Sequence, residues 1–209
     1  GVDLNFFNPG INSSTWRPQS GFAADDQIFL YAGILGYAQG LEVIIHAAEI
    51  LQNHQKIKFV FVGSGPEKER LMQLVAEKNL GNIFFFDAMS KSKMPEIISA
   101  CNASIIPLKK LDLFKGAIPS KVFETMAMKK PILLGVEGEA KELFIDEGKA
   151  ALAFEPENAH SLAKSVLQMV NNPALFDEYG RNGHAYVSEK FNRDIIASEF
   201  HDFLKKQLS

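Results

Sequence analysis

The chain has 209 residues, enough for one large domain with a full core or for two small ones. Apolar residues make up 46% and charged residues 22%, which excludes a disordered chain; a formal net charge of -3 leaves no basic excess for nucleic acid as a partner. A single cysteine, Cys101, excludes an internal disulfide framework and a cysteine-rich zinc site, and it reads as a small buried hydrophobe.

Residues 1–26 are rich in Asn, Ser, Gly and Pro and read as a linker entering a domain, with at most a short turn. "GVDLNFFNPG" has no basic start or cleavage pattern and does not read as a signal peptide. "QIFLYAG" is a continuous apolar run closed by glycine, a buried-strand signal. "LEVIIHAAEILQNH" has helical spacing, with Leu41, Ile44, Ile45, Ala48 and Leu51 on one face. "KIKFVFVG" is a second strand, and "PEKERLMQLVAEKNLG" a helix with Pro66 early and Gly81 as its stop. "NIFFFDA" is strand, "KMPEIISACN" helix, "ASIIPL" strand, "PSKVFETMAMKK" helix with Pro119 at its first position, and "PILLG" strand. A helical "EAKELFIDEG" leads to the short strand "ALAF", and three helices close the chain over "NAHSLAKSVLQMVNN", "PALFDEYGRNGHAYVSEK" and "NRDIIASEFHDFLKKQL".

Six apolar strands alternating with helices predict a doubly wound, Rossmann-like α/β fold, a six-stranded parallel sheet with helices on both faces. Ligands of such folds bind beyond the carboxyl ends of the strands, near the point where strand order reverses. That rule selects the loops "GILGYAQG", "GSGPE", "DAMSKSK", "KKLDLFKGAIPSK" and "GVEGEA".

"GSGPE" lacks the third glycine of a dinucleotide fingerprint and follows the second strand, so it reads as a tight turn. The glycines of "GILGYAQG" permit close backbone approach, and N–H groups there suit a phosphate. Asp87 resembles a phosphoacceptor position, but no acidic pair follows the first strand, and capping of the next turn is the simpler reading. There is no D-x-D, and the five histidines lack metal-ligand spacing, so no metal is expected. Lys121 stands in the first turn of its helix, where the dipole disfavours a cation by up to about 1 kcal/mol. Val122, Phe123, Met126 and Ala127 form that helix's buried stripe; Lys121 and Glu124 share the other side. Two readings stand open: a surface ion pair, or a phosphate held by Lys121 at the helix start with Glu124 receiving hydroxyls.

"PSKVFETMAMKKPILLGVEGEA" resembles the Glu-Ala-Met-Ala-x-Gly-x-Pro-Val segment of GT-B retaining glycosyltransferases. "YAGILGYAQGLEVIIHAA", "FVFVGSGPEKERL", "NIFFFDAMSKSKMPEIISACNASIIPL" and "LAFEPENAHSLAKSV" resemble the remaining blocks in order. The resemblance covers nearly the whole chain and is nearest to bacterial amino-sugar transferases of surface-polysaccharide synthesis. It implies the C-terminal, donor-binding half of a GT-B fold: an interdomain linker over 1–26, the nucleotide-sugar domain over 27–190, and a terminal helix over 191–209 that packs toward the other half. The acceptor half, with the catalytic histidine many relatives carry there, would lie outside this chain, leaving the chain alone inactive.

By position, the resemblance implies that Gly33, Gly36, Ser120 and Lys121 meet the diphosphate and Glu124, the second glutamate of Glu-x7-Glu, meets the ribose. Asp87 and Ala88 fall beside the base, Gly63 and Gly65 on the pocket turn, and Gly116, Ala117 and Ile118 at the donor sugar. Gly116 replaces the first glutamate, and Ile34 and Gln39 replace the basic residues of many relatives. The implied reaction is metal-independent transfer, with retention, from a nucleotide sugar, UDP favoured, to a lipid-linked saccharide at the inner membrane face, by a cytoplasmic or peripheral enzyme without cofactor. The alternatives are a nucleotide-sugar epimerase of the same architecture and a noncatalytic nucleotide-sensing or protein-docking module.

Overall fold

A computed structural model describes residues 1–10 and 15–208. Positions 11–14 of the expected linker and Ser209 of the expected terminal helix lie outside the described residues. Six strands, β1 (Gln27–Ala32), β2 (Ile57–Val62), β3 (Ile83–Phe86), β4 (Ala103–Pro107), β5 (Ile132–Gly135) and β6 (Ala151–Ala153), form one sheet. Its order is β3-β2-β1-β4-β5-β6, and every pairing is parallel. The doubly wound sheet expected from the alternating pattern is therefore the architecture observed.

Strand residues alternate between two cores, which explains why the strands read as unbroken apolar runs. Ile28 and Leu30 of β1 face α4 (Met94–Ala100), α5 (Lys121–Ala127) and the inner side of α8 (Ala174–Lys190). Phe29 and Tyr31 face α2 (Glu42–Ile50), α3 (Lys68–Glu77) and α7 (Ala159–Asn171). Cys101 is buried, and that burial pushes its thiol up to about 12, so it stays a neutral apolar group as expected.

The described part of residues 1–26 does more than connect. Phe7, Trp16 and Phe22 are buried in the first core, with Trp16 in a short α1 (Trp16–Gln19) against Phe86 and Phe22 edge-on to Phe84. Arg17 fastens the stretch through the carbonyls of Ala24 and Asp26 and through Asn102 Oδ1. At the other end, α9 (Arg193–Leu208) starts beside a bridge between Val2 and Asn192, and its Ile196, Phe200 and Phe203 are exposed. No helix of the described residues is long and apolar enough to cross a membrane.

Three local expectations need correction. α3 is stopped by Asn79 at φ 51 rather than by Gly81, because asparagine tolerates the left-handed conformation that ends a helix. α5 begins at Lys121, not Pro119; Val122 and Phe123 donate three residues back to Pro119 and Ser120, so the helix opens with tighter turns. "EAKELFIDEG" forms one α-turn, α6 (Glu139–Lys141), followed by a wider π-coil (Glu142–Glu147) that buries Phe144.

Candidate functional site

The sheet order places the reversal point between β1 and β4, where successive connections leave toward opposite edges. The β1–β4 ladder pairs Phe29 with Ala103 and Leu30 with Ser104 and goes no further, although both strands continue. The crevice this opens holds a cavity of about 320 Å³, within the range of small-molecule sites. Its walls come from the ends of β1, β2 and β4, from Ala88, Met89 and Lys91 after β3, and from Lys121, Glu124 and Thr125 of α5. The Thr125 hydroxyl donates to Ser104 Oγ at 3.1 Å, fixing α5 against β4 on the cavity wall.

Lys121 is the unusual group. Its Nζ donates to Tyr31 Oη at 2.9 Å and lies 4.0 Å from the centre of that ring. Among the described residues it makes no ion pair. The surface pair with Glu124 expected as one of two readings does not form, because Lys121 turns inward over β1 rather than along its own helix. Burial lowers its pKa to about 8, against a small opposing pull from Glu124. Burial also raises the pKa of the Glu124 carboxyl, which Lys91 and then Lys121 partly offset. Two poorly solvated ionisable groups thus face one cavity, the arrangement that marks a ligand site.

In the first glycine loop, "GILGYAQG", where N–H groups suited to a phosphate were expected, two of the amides are already engaged. Gly33 N–H is committed to Val62 O at 2.9 Å, and Leu35 N–H to Ser64 O at 2.8 Å, extending the β1–β2 ladder beyond the strands. What Gly33 contributes is a missing side chain: a Cβ there would lie 2.9 Å from Lys121 Nζ. Gly63 has φ +159, and a Cβ on it would lie 1.9 Å from Gly33 O. Gly63→Ala is therefore expected to push the two loops apart and cost about 1–3 kcal/mol of stability, read as a lowered denaturant midpoint. An unchanged midpoint would show that the loops are not held in this contact.

Of the residues singled out from sequence, the fold gathers Gly33, Gly63, Ala88, Lys121 and Glu124 around one cavity. It leaves others off its walls. Gly36 lines a neighbouring cleft with Arg70, Lys109 and Glu157, and Gly65 packs against Leu35 O. Asp87 is exposed and paired with Lys68 rather than capping a turn, and Ser120 is exposed with no side-chain capping bond. Gly116 is exposed, while Ala117 and Ile118 pack against the first core in the loop before α5. Sequence reasoning missed Tyr31, Lys91 and Thr125. Lys91 stood in a loop already marked by the strand-end rule, whereas Tyr31 and Thr125 had only the pattern of core residues.

The pattern of the family described as glycosyl transferases group 1 matches residues 12–186. The chain belongs to that family. This group 1 chain is 25% identical over 186 residues to the putative colanic acid biosynthesis glycosyl transferase WcaI of Escherichia coli K12, covering 88% of itself and 44% of that protein. It superimposes on Anabaena HepE in complex with UDP-glucose with a TM-score of 0.84 at 19% identity, covering 99% of itself and 56% of HepE. On the C-terminal domain of the Francisella tularensis group 1 glycosyl transferase LpcC the TM-score is 0.76 at 21% identity, covering 92% of this chain and all of that domain. These likenesses show the GT-B glycosyltransferase fold. The group 1 chain spans less than half the length of curated relatives such as WcaI.

Proposed function

We propose that the cavity between β1 and β4 takes the nucleoside diphosphate of a sugar donor, with its diphosphate on Lys121. The observation that carries this is a largely buried lysine with no carboxylate partner, aimed at a cavity where the strand order reverses. A buried cation without a counter-charge costs stability and is offset when an anion arrives. The ribose diol would donate to Glu124, and the base would lie toward Ala88 and Met89. UDP is the favoured nucleotide, since HepE of the same fold was crystallised with UDP-glucose. The sugar would extend past the cavity toward the Gly116–Ile118 loop, where a side chain at Gly116 would meet nothing within 4 Å.

In the longer protein, this half would present the donor to an acceptor half, and the sugar would pass with retention to a lipid-linked saccharide of a surface polysaccharide. WcaI, by name a colanic acid biosynthesis transferase, supports the polysaccharide context. Negative charge grows on the departing diphosphate as the glycosidic bond breaks. A cation already fixed in a poorly hydrated site stabilises that charge without reorganising, so it favours the transition state over the bound donor. Lys91, which also lines the cavity, adds a second positive group.

Thermal unfolding of the chain with UDP, GDP or ADP tests the reading. UDP at 100 times its Kd is expected to stabilise the fold by about 2.7 kcal/mol, with smaller effects from the purine nucleotides at equal concentration. No stabilisation by any of the three would overturn it.

A further inference from the structure

Tyr31 is 1% exposed and carries one hydroxyl proton, which it donates to Ile34 O at 2.6 Å. With the proton directed there, a lone pair remains for Lys121 Nζ, which donates to it at 2.9 Å. The ammonium also lies 4.0 Å from the centre of the same ring, within range of a cation–π attraction. No other hydrogen-bond partner of this ammonium occurs among the described residues. A long lysine side chain has many rotamers, and something must select the one that reaches across from α5 to β1. Tyr31 is that contact.

We propose that Tyr31 is the positioning residue for Lys121: its hydroxyl and ring hold the ammonium above Gly33, leaving two N–H bonds of the ammonium free for the diphosphate. This rests on the reading of the cavity as a nucleoside-diphosphate site. The choice of a phenol has a chemical logic. A carboxylate in this place would hold the lysine as firmly, but it would neutralise the ammonium and repel the incoming anion. Burial drives the phenol's own ionisation upward, so Tyr31 stays neutral and acts only as an acceptor toward Lys121. Because the same oxygen also binds the Ile34 carbonyl, it sets the glycine loop and the cation relative to each other.

Tyr31→Phe keeps the ring and removes both hydrogen bonds; Tyr31→Met is a second, flexible apolar variant in case the first fails to fold. Isothermal titration with UDP and with uridine is compared for the unsubstituted chain, Tyr31→Phe, Lys121→Met and the double variant. Tyr31→Phe is expected to weaken UDP about 3- to 10-fold, to leave uridine unchanged, and to add nothing in the Lys121→Met background. The alkaline decline of UDP affinity should also begin at lower pH in Tyr31→Phe, since the ammonium has lost an acceptor. The other charged groups facing the cavity, Glu124 on α5 and Lys91 after β3, are the same in both proteins. A merely structural tyrosine would move UDP and uridine together and leave that pH limb in place, which would overturn the proposal. UDP binding that depends on Lys121 but not on Tyr31 overturns this inference alone. An unsubstituted chain that binds no UDP overturns the donor-site reading and this inference with it.

Discussion

Lys121→Met is expected to weaken UDP binding by about 10- to 150-fold while leaving the folded chain as stable as before or more so. The affinity loss follows from the 1.5–3 kcal/mol of a hydrogen bond to a charged group, at about 1.4 kcal/mol per tenfold change. The stability effect has the opposite sign. Methionine keeps an apolar stem of similar length in the path across Tyr31, while the burial cost of an ammonium without a counter-charge disappears. Titration with UDP and denaturant unfolding of the two proteins check both halves. A residue kept for packing would show the reverse, with stability lost and affinity unchanged. Opposite movement of the two quantities marks a group retained for its ligand at a cost to the fold.

The pH dependence is the second large effect, and it too has two signs. In the folded chain the Lys121 pKa is lowered to about 8 from 10.5, chiefly by burial. Between these values the unfolded chain holds a proton that the folded chain has released, so stability rises with pH across that window. Below about pH 8 both states are protonated and the burial cost is fully present. At about 1.4 kcal/mol per pH unit, the gain from Lys121 reaches about 3 kcal/mol by pH 10.5. The difference in stability between the unsubstituted chain and Lys121→Met should carry this slope, because their other titrating groups are shared. UDP affinity should move the other way. The ammonium binds the diphosphate, so affinity falls about tenfold between pH 7 and 9 in the unsubstituted chain and stays level in Lys121→Met. Parallel pH curves for the two proteins would show that Lys121 does not titrate in this range.

The sheet was legible because a parallel sheet covered on both faces needs continuous apolar strands. "QIFLYAG" and "KIKFVFVG" state that requirement directly, and four of the five loops the strand-end rule selected line the cavity, "GVEGEA" being the exception. Helix limits were less legible. Pro119 satisfies the local preference for a first helical position, but tertiary context opens that segment with tighter turns and starts the α-helical bonds at Lys121. The site was half legible. Lys121 stood out because a cation at a helix start runs against the backbone dipole, so a local rule was broken where a ligand is proposed to bind.

Tyr31 broke no rule. In "FLYAG" it has the pattern of a core strand residue, and the partners of its hydroxyl lie 3 and 90 residues away in the chain. The partner of the Gly33 amide was hidden for a similar reason. Glycine indicates freedom of the backbone, but its N–H is spent on Val62 O, a partner set by strand register and invisible in the loop itself. Asp87 shows the same limit: its exposed pairing with Lys68 depends on how α3 lies beside the end of β3.

A crystal structure of the chain with UDP bound tests the central claim most directly. The diphosphate is expected in the crevice between β1 and β4, with one of its oxygens about 2.7–2.9 Å from Lys121 Nζ. UDP lodged in the neighbouring cleft beside Gly36 and Lys109, with the Lys121 ammonium still touching only Tyr31, would contradict it.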